Sequence, residues 1–242
     1  MFIGHFAVGI AGRRLTPRAG LGWWFASTAF LDMVWPVLVL IGLEQVQIVQ
    51  SSNPFLILTF TAYPISHSLV GAAAWAAIFA GVYRLVKRRA GGALLLACGV
   101  LSHWVLDVVS HLPDMPVLPR GPYIGLGLWK SVALTIIVET AMFAGAIVYY
   151  ARGRRPRPAF WILVSVLYLL YVASVFSPPP PTVAAVAWTA IAAWLFIPWA
   201  WWADRPRSAS GTERATTRAR SEGRSSESAQ RSRGGAATDS RQ

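Results

Sequence analysis

Cysteine is almost missing from this chain. Cys98 is the single one and sits in an apolar stretch, so no internal disulfide can form and a packing role is expected. Charge is sparse as well. Asp, Glu, Lys and Arg make up 13% of the residues while 55% are hydrophobic, and the mean hydropathy is +0.48. Soluble domains carry roughly 25% charged residues, so an ordinary soluble fold is excluded. Met1–Ile10 lacks the basic region that opens a signal peptide, and Arg13 and Arg14 follow the apolar stretch, so no cleavable signal peptide is expected. A Gly-rich phosphate loop and a Gly-x-Ser-x-Gly elbow are both lacking, which sets aside P-loop and α/β-hydrolase chemistry. The last two apolar segments and the Arg-rich end contain no histidine.

What is present is a series of apolar runs long enough to cross a hydrocarbon core of roughly 30 Å as helices. Six are read as spans: Gly20–Leu43, Ser68–Leu85, Gly92–His111, Gly127–Tyr150, Phe160–Phe176 and Val183–Trp202. Two shorter pieces, Phe2–Ala11 and Phe55–Ile65, are read as re-entrant or interfacial segments packing onto a site, since pieces of about 10–14 apolar residues do not span. For Phe2–Ala11 an amphipathic surface helix is the alternative. The expected fold is all-α, a polytopic membrane helix bundle of about six spans. Residues 1–204 form the helical domain, and 205–242 form a disordered basic tail without any aliphatic side chain larger than Ala beyond Ser208.

The net charge of +12 is distributed in a way that argues against nucleic acid as a partner. Lys and Arg gather at Arg13/Arg14/Arg18, Arg84/Lys87/Arg88/Arg89, Arg152/Arg154/Arg155/Arg157 and from Arg205 onward, alternating with loops poor in them. That alternation is the positive-inside signature, so an integral inner (plasma) membrane protein with a cytoplasmic C-terminus is expected. The partner this implies is the lipid bilayer.

All four histidines, His5, His67, His103 and His111, lie in the first half. Ionisable groups are costly in hydrocarbon and mark function there. His103, Asp107 and His111 are spaced four apart, which keeps them near one face of a helix. Imidazoles and carboxylates together are a ligand set for a divalent metal, zinc most plausibly. The expected ligands are His67, His103, Asp107 and His111, with His5 and Asp114 as possible additions. Asp32, mid-span without a Lys or Arg on its helix, and Glu139, also mid-span, are the expected catalytic carboxylates. His5 reads equally as an interfacial residue. Ser66 before His67 reads as a helix N-cap, and the bland alternative for the cluster is a satisfied buried network with Ser102 and Ser110.

The phrases Gly4-His5-Phe6, Asp32-x-x-Trp35-Pro36, Tyr63-Pro64-Ile65-Ser66-His67-Ser68, Ser102-His103-Trp104-x-x-Asp107, Pro113-Asp114 and Gly127-Leu128-Trp129, with Glu139 and the multi-proline turn, carry a resemblance. Over Met1 to Asp204 the chain resembles a family of bacterial multi-pass membrane proteins described as metal-dependent hydrolases, relatives of the LexA-regulated inner-membrane hydrolases. Where those relatives carry an acidic residue and a further histidine, this chain has Phe60-Thr61-Ala62. The resemblance implies a metal site. The expected function is a membrane-embedded metal-dependent hydrolase acting on an amphiphilic small-molecule substrate, a lipid-like phosphate or ester. The alternative is a small transporter or ion-handling protein using the same residues.

Overall fold

The computed structural model describes residues 1–88 and 91–205. Met1–Asp204 is one compact unit, and the tail expected to be disordered lies from residue 206 outside the described residues.

Helix α1 (Ile3–Gly12) is apolar apart from His5, and most of it is buried in the middle of the bundle. A helix without a charged or solvated face is buried. It packs on α6 (Val132–Ala151) and on α2 (Leu21–Thr28). The first predicted span is broken. Helix α2 ends at Thr28, and α3 (Phe30–Leu40) leaves at 51°. The cause is local: the hydroxyls of Ser27 and Thr28 both donate back to the Trp24 carbonyl, at 2.9 and 3.0 Å. Such back-bonding competes with the helical ladder and bends helices.

Between α3 and α4 (Leu69–Lys87) runs a hairpin, β1 (Gln45–Ile48) paired antiparallel with β2 (Leu58–Ala62). Phe55–Ile65 is therefore a 3-10 turn, Pro54–Leu56, followed by a strand. Leu58-Thr59-Phe60-Thr61-Ala62 alternates with period two, which suits a strand. Ser68, not Ser66, caps α4, accepting from the Gly71 amide at 2.9 Å. Helix α5 (Ala93–Ser110) packs along α4 and leads into a loop with a two-residue ladder, β3 (Met115–Pro116) and β4 (Tyr123–Ile124). Helix α6, then α7 (Pro158–Phe176), then α8 (Val183–Ala192) and α9 (Phe196–Ala203) complete the bundle, with a 3-10 turn, Ala193–Leu195, between the last two.

Among the described residues five helical stretches are long and apolar enough to cross a bilayer, six if the bent pair α2–α3 is one span. Between 22 and 44% of each long span is buried inside the protein; the rest presents side chains such as Leu94, Ile137 and Leu169 outward. That surface needs hydrocarbon around it. Cys98 is on this outer surface, so it does not pack in the core as expected.

The basic clusters meet at one end of the bundle. The Asp204 carboxylate accepts from the Arg13 side chain, from the Leu21 amide at 3.0 Å and from the Tyr150 hydroxyl at 2.7 Å. Arg14 donates to the Tyr149 and Arg152 carbonyls, and Lys87 lies over the Trp23 ring. The end of α1, the start of α2 and the ends of α4, α6 and α9 thus share one side.

Candidate metal centre

Five ionisable side chains from four segments converge inside the bundle. Helix α1 brings His5, and α3 brings Asp32 in its first turn, just past the break. The segment ahead of α4 brings His67, and the C-terminal half of α5 brings His103 and Asp107. Asp107 lies at the centre. One carboxylate oxygen is 3.1 Å from His5 Nε2, and the other is 3.1 Å from His103 Nε2 and 3.7 Å from His67 Nε2. Asp32 Oδ1 is 3.6 Å from both His67 Nε2 and His103 Nε2. The His5 and His103 rings stack in parallel, with centroids 3.6 Å apart. The Met1 amino nitrogen also reaches Asp107 Oδ1, at 2.6 Å.

These spacings fit a shared ion. Ligands about 2.0–2.2 Å from a zinc stand about 3.3–3.6 Å from one another in a tetrahedron. Two overlapping sets qualify, His5/His103/Asp107 and Asp32/His67/His103, with donor atoms within 4.8 Å of each other in each.

The second nitrogen of two of these rings is already engaged. His103 Nδ1 lies 2.7 Å from the Thr28 carbonyl, which the break between α2 and α3 leaves available. A carbonyl only accepts, so Nδ1 carries the proton, and Nε2 is the atom left to face the centre, as a lone pair whenever the ring is neutral. That Nε2 is fully buried and has no hydrogen-bond partner among the described residues. His67 Nδ1 lies 2.7 Å from Ser66 Oγ, which donates at 2.6 Å to Glu44 Oε2. Ser66 therefore accepts from His67 Nδ1, and His67 Nε2 also faces the centre. Glu44 is fixed in turn by the Ile65 and Ser66 amides, both at 2.8 Å. Such outer partners orient metal-ligating imidazoles. Glu44 had no signal in the sequence: it begins a polar loop, and its partners are some twenty residues away across the β1–β2 hairpin.

The remaining expected site residues are placed differently. His111 is buried beside the centre but outside both donor sets; its Nδ1 is 3.1 Å from Asp114 Oδ1, and its ring packs on Trp129. Tyr63 donates to the Asp114 backbone carbonyl at 3.0 Å. Burial, with the Asp114 charge nearby, pushes the Tyr63 phenol up, so it stays a neutral donor. Glu139 is fully buried on α6, accepts the Gly4 amide at 3.1 Å, and so sits at the N-terminus of α1 rather than among the donors.

A cavity of about 190 Å³ opens onto the centre, lined by His5, Asp32, Tyr63, His67, Asp107 and His111 among others. The side chain of Asp32 keeps 51% of its surface accessible there, while that of Asp107 keeps 4%. The largest cavity described, about 800 Å³, is elsewhere: Arg18, Tyr83 and Lys87 line it at the basic end, without any imidazole or carboxylate.

A bundle of apolar helices around a buried His/Asp centre defines a multi-pass membrane protein able to hold a metal ion. Residues 1–179 match the family model described as YdjM inner membrane protein, and the chain belongs to that family. No curated protein and no solved structure matches the chain.

Proposed function

We propose that this protein is a membrane-embedded metal-dependent hydrolase whose substrate is an amphiphile with a phosphate or ester at its polar end. The observation that carries the reading is His103 Nε2, fully buried without a hydrogen-bond partner among the described residues and set between two carboxylates and two further imidazoles. His5, His67, His103 and Asp107 would hold a divalent ion, zinc by the mixture of nitrogen and oxygen donors. When bound, such an ion supplies Lewis acidity toward a phosphoryl or ester oxygen and acidifies water.

The chain supplies the rest. Asp32 faces both the donors and the cavity, so it takes a proton from the attacking water. His111, held by Asp114 and facing the same cavity, returns a proton to the leaving group. Glu139 anchors the first turn of α1 and thereby positions His5. Apolar walls from Trp35, Leu58 and Phe60 limit water. In the membrane the basic end of the bundle is cytoplasmic, by the positive-inside rule, and the centre opens toward the opposite side.

The test is turnover by full-length protein purified in detergent with zinc supplied. Its substrates are a phosphatidylglycerol and a long-chain phosphomonoester, with products followed by mass spectrometry. Hydrolysis of one of them is expected, lost in Asp32→Asn with bound metal retained. Metal-loaded protein that turns over neither contradicts the reading.

A further inference from the structure

A second cavity, about 180 Å³, adjoins the centre. Its walls come from α1, from the break between α2 and α3, and from the last span at the 3-10 turn Ala193–Leu195 between α8 and α9. Phe6, Met33, Ala190, Ala193 and Ile197 make it apolar; His5 and Asp32 are its charged members, and both also line the catalytic cavity. Phe2 and Trp35 are shared too, so the two spaces meet at the proposed reaction centre. The small side chains Ala190 and Ala193, beside the irregular turn, leave the space open.

The second observation is independent of the shape. Trp35 retains 5% of its surface, yet its indole N–H has no acceptor among the described residues, and the same holds for the Trp194 N–H. Both rings line this cavity. Buried donors normally find a partner, and leaving one unpaired is costly. An apolar pocket with two unpaired donors and a reaction centre at one end fits a ligand with a hydrocarbon tail and an acceptor oxygen close to it.

We infer that this cavity binds the carboxyl-proximal part of a fatty-acyl chain, whose carbonyl oxygen takes the Trp35 indole N–H after a shift of the ring that now covers it. An apolar cavity of about 150 Å³ admits a benzene, so this one takes roughly six carbons. The rest of the chain continues into the surrounding hydrocarbon, which costs nothing in a membrane. Resting on the hydrolase reading, this narrows the substrate from amphiphiles in general to acyl lipids, and it places the scissile ester between Trp35 and Asp32.

Photolabelling tests it. Full-length protein in lipid nanodiscs is irradiated with a phosphatidylglycerol carrying a diazirine near the carboxyl end of one acyl chain. A parallel arm uses the corresponding free fatty acid. Labelled peptides are mapped by mass spectrometry, and bound metal is measured on the same samples. Labelling is expected at 190–197 and 29–35. It should fall about tenfold or more in Ala193→Phe, where overpacking costs at least about 1.4 kcal/mol. Trp35→Phe, which keeps the ring and removes the N–H, should weaken it with metal content unchanged. Stronger labelling by the intact lipid assigns the site to substrate, and stronger labelling by the free acid assigns it to product; either places an acyl chain there. Labels confined to outward residues such as Leu169, or unaffected by Ala193→Phe, overturn the inference while leaving the metal reading to its own measurement.

Discussion

The side chains of the centre differ in how visible they are from sequence. His103 and Asp107 are legible because four residues on a helix bring two groups to one face. His5 and Asp32 arrive from other helices, and their meeting depends on the bend after Thr28, which no spacing encodes. Glu44 is invisible because its role runs through Ser66 to His67 across a hairpin. Its removal is informative for that reason. Glu44→Gln keeps the shape but weakens the acceptor, and metal affinity, read by competition with a chelating dye, should fall about 10–100-fold. His111→Asn separates two roles. As the proton donor it should lose most of its turnover while keeping bound metal; as a ligand it would lose the metal with it.

At the scale of elements, long apolar runs announce themselves, and the breaks between them do not. The run Gly20–Leu43 reads as one span, yet hydroxyl back-bonding at Ser27 and Thr28 divides it and supplies the carbonyl that His103 needs. Phe55–Ile65 is apolar enough to suggest a membrane segment, while its alternation makes it a strand. The loop after α5 is fixed by backbone contacts: Leu126 N donates to the Val108 carbonyl and Gly127 N to the His111 carbonyl, both at 2.7 Å. A Cβ at Gly125 would fall on the Leu112 carbonyl. Gly125→Ala should therefore lower thermal stability in detergent by about 1–3 kcal/mol and disturb His111 and Asp114. Gly145→Ala on α6, where a Cβ meets nothing within 4 Å, should be neutral or raise stability by about 0.5–1 kcal/mol.

For the whole molecule, the alternation of basic clusters carries the topology. The structure gathers Arg13, Arg14, Lys87, Arg152 and Asp204 at one end of the bundle. Reporter fusions after Trp202 and within Pro178–Pro181 should therefore report cytoplasmic and extracytoplasmic locations respectively; same-side readings would remove the outward-opening centre. The residues beyond 205 include no large apolar side chain to bury. Truncation after Arg207 should leave expression, metal content and thermal stability unchanged, the loss being weak attraction to anionic lipid of up to about 1 kcal/mol per basic residue.

The central claim is that His5, His67, His103 and Asp107 hold a metal ion. Elemental analysis of full-length protein purified in detergent, after zinc or manganese is supplied, tests it most directly when run beside His103→Ala/Asp107→Ala. About one divalent ion per chain is expected in the native protein, as for a catalytic site with protein ligands and an open position, and a small fraction of that in the variant. Equal metal content in the two folded proteins would contradict it and leave the cluster a structural network.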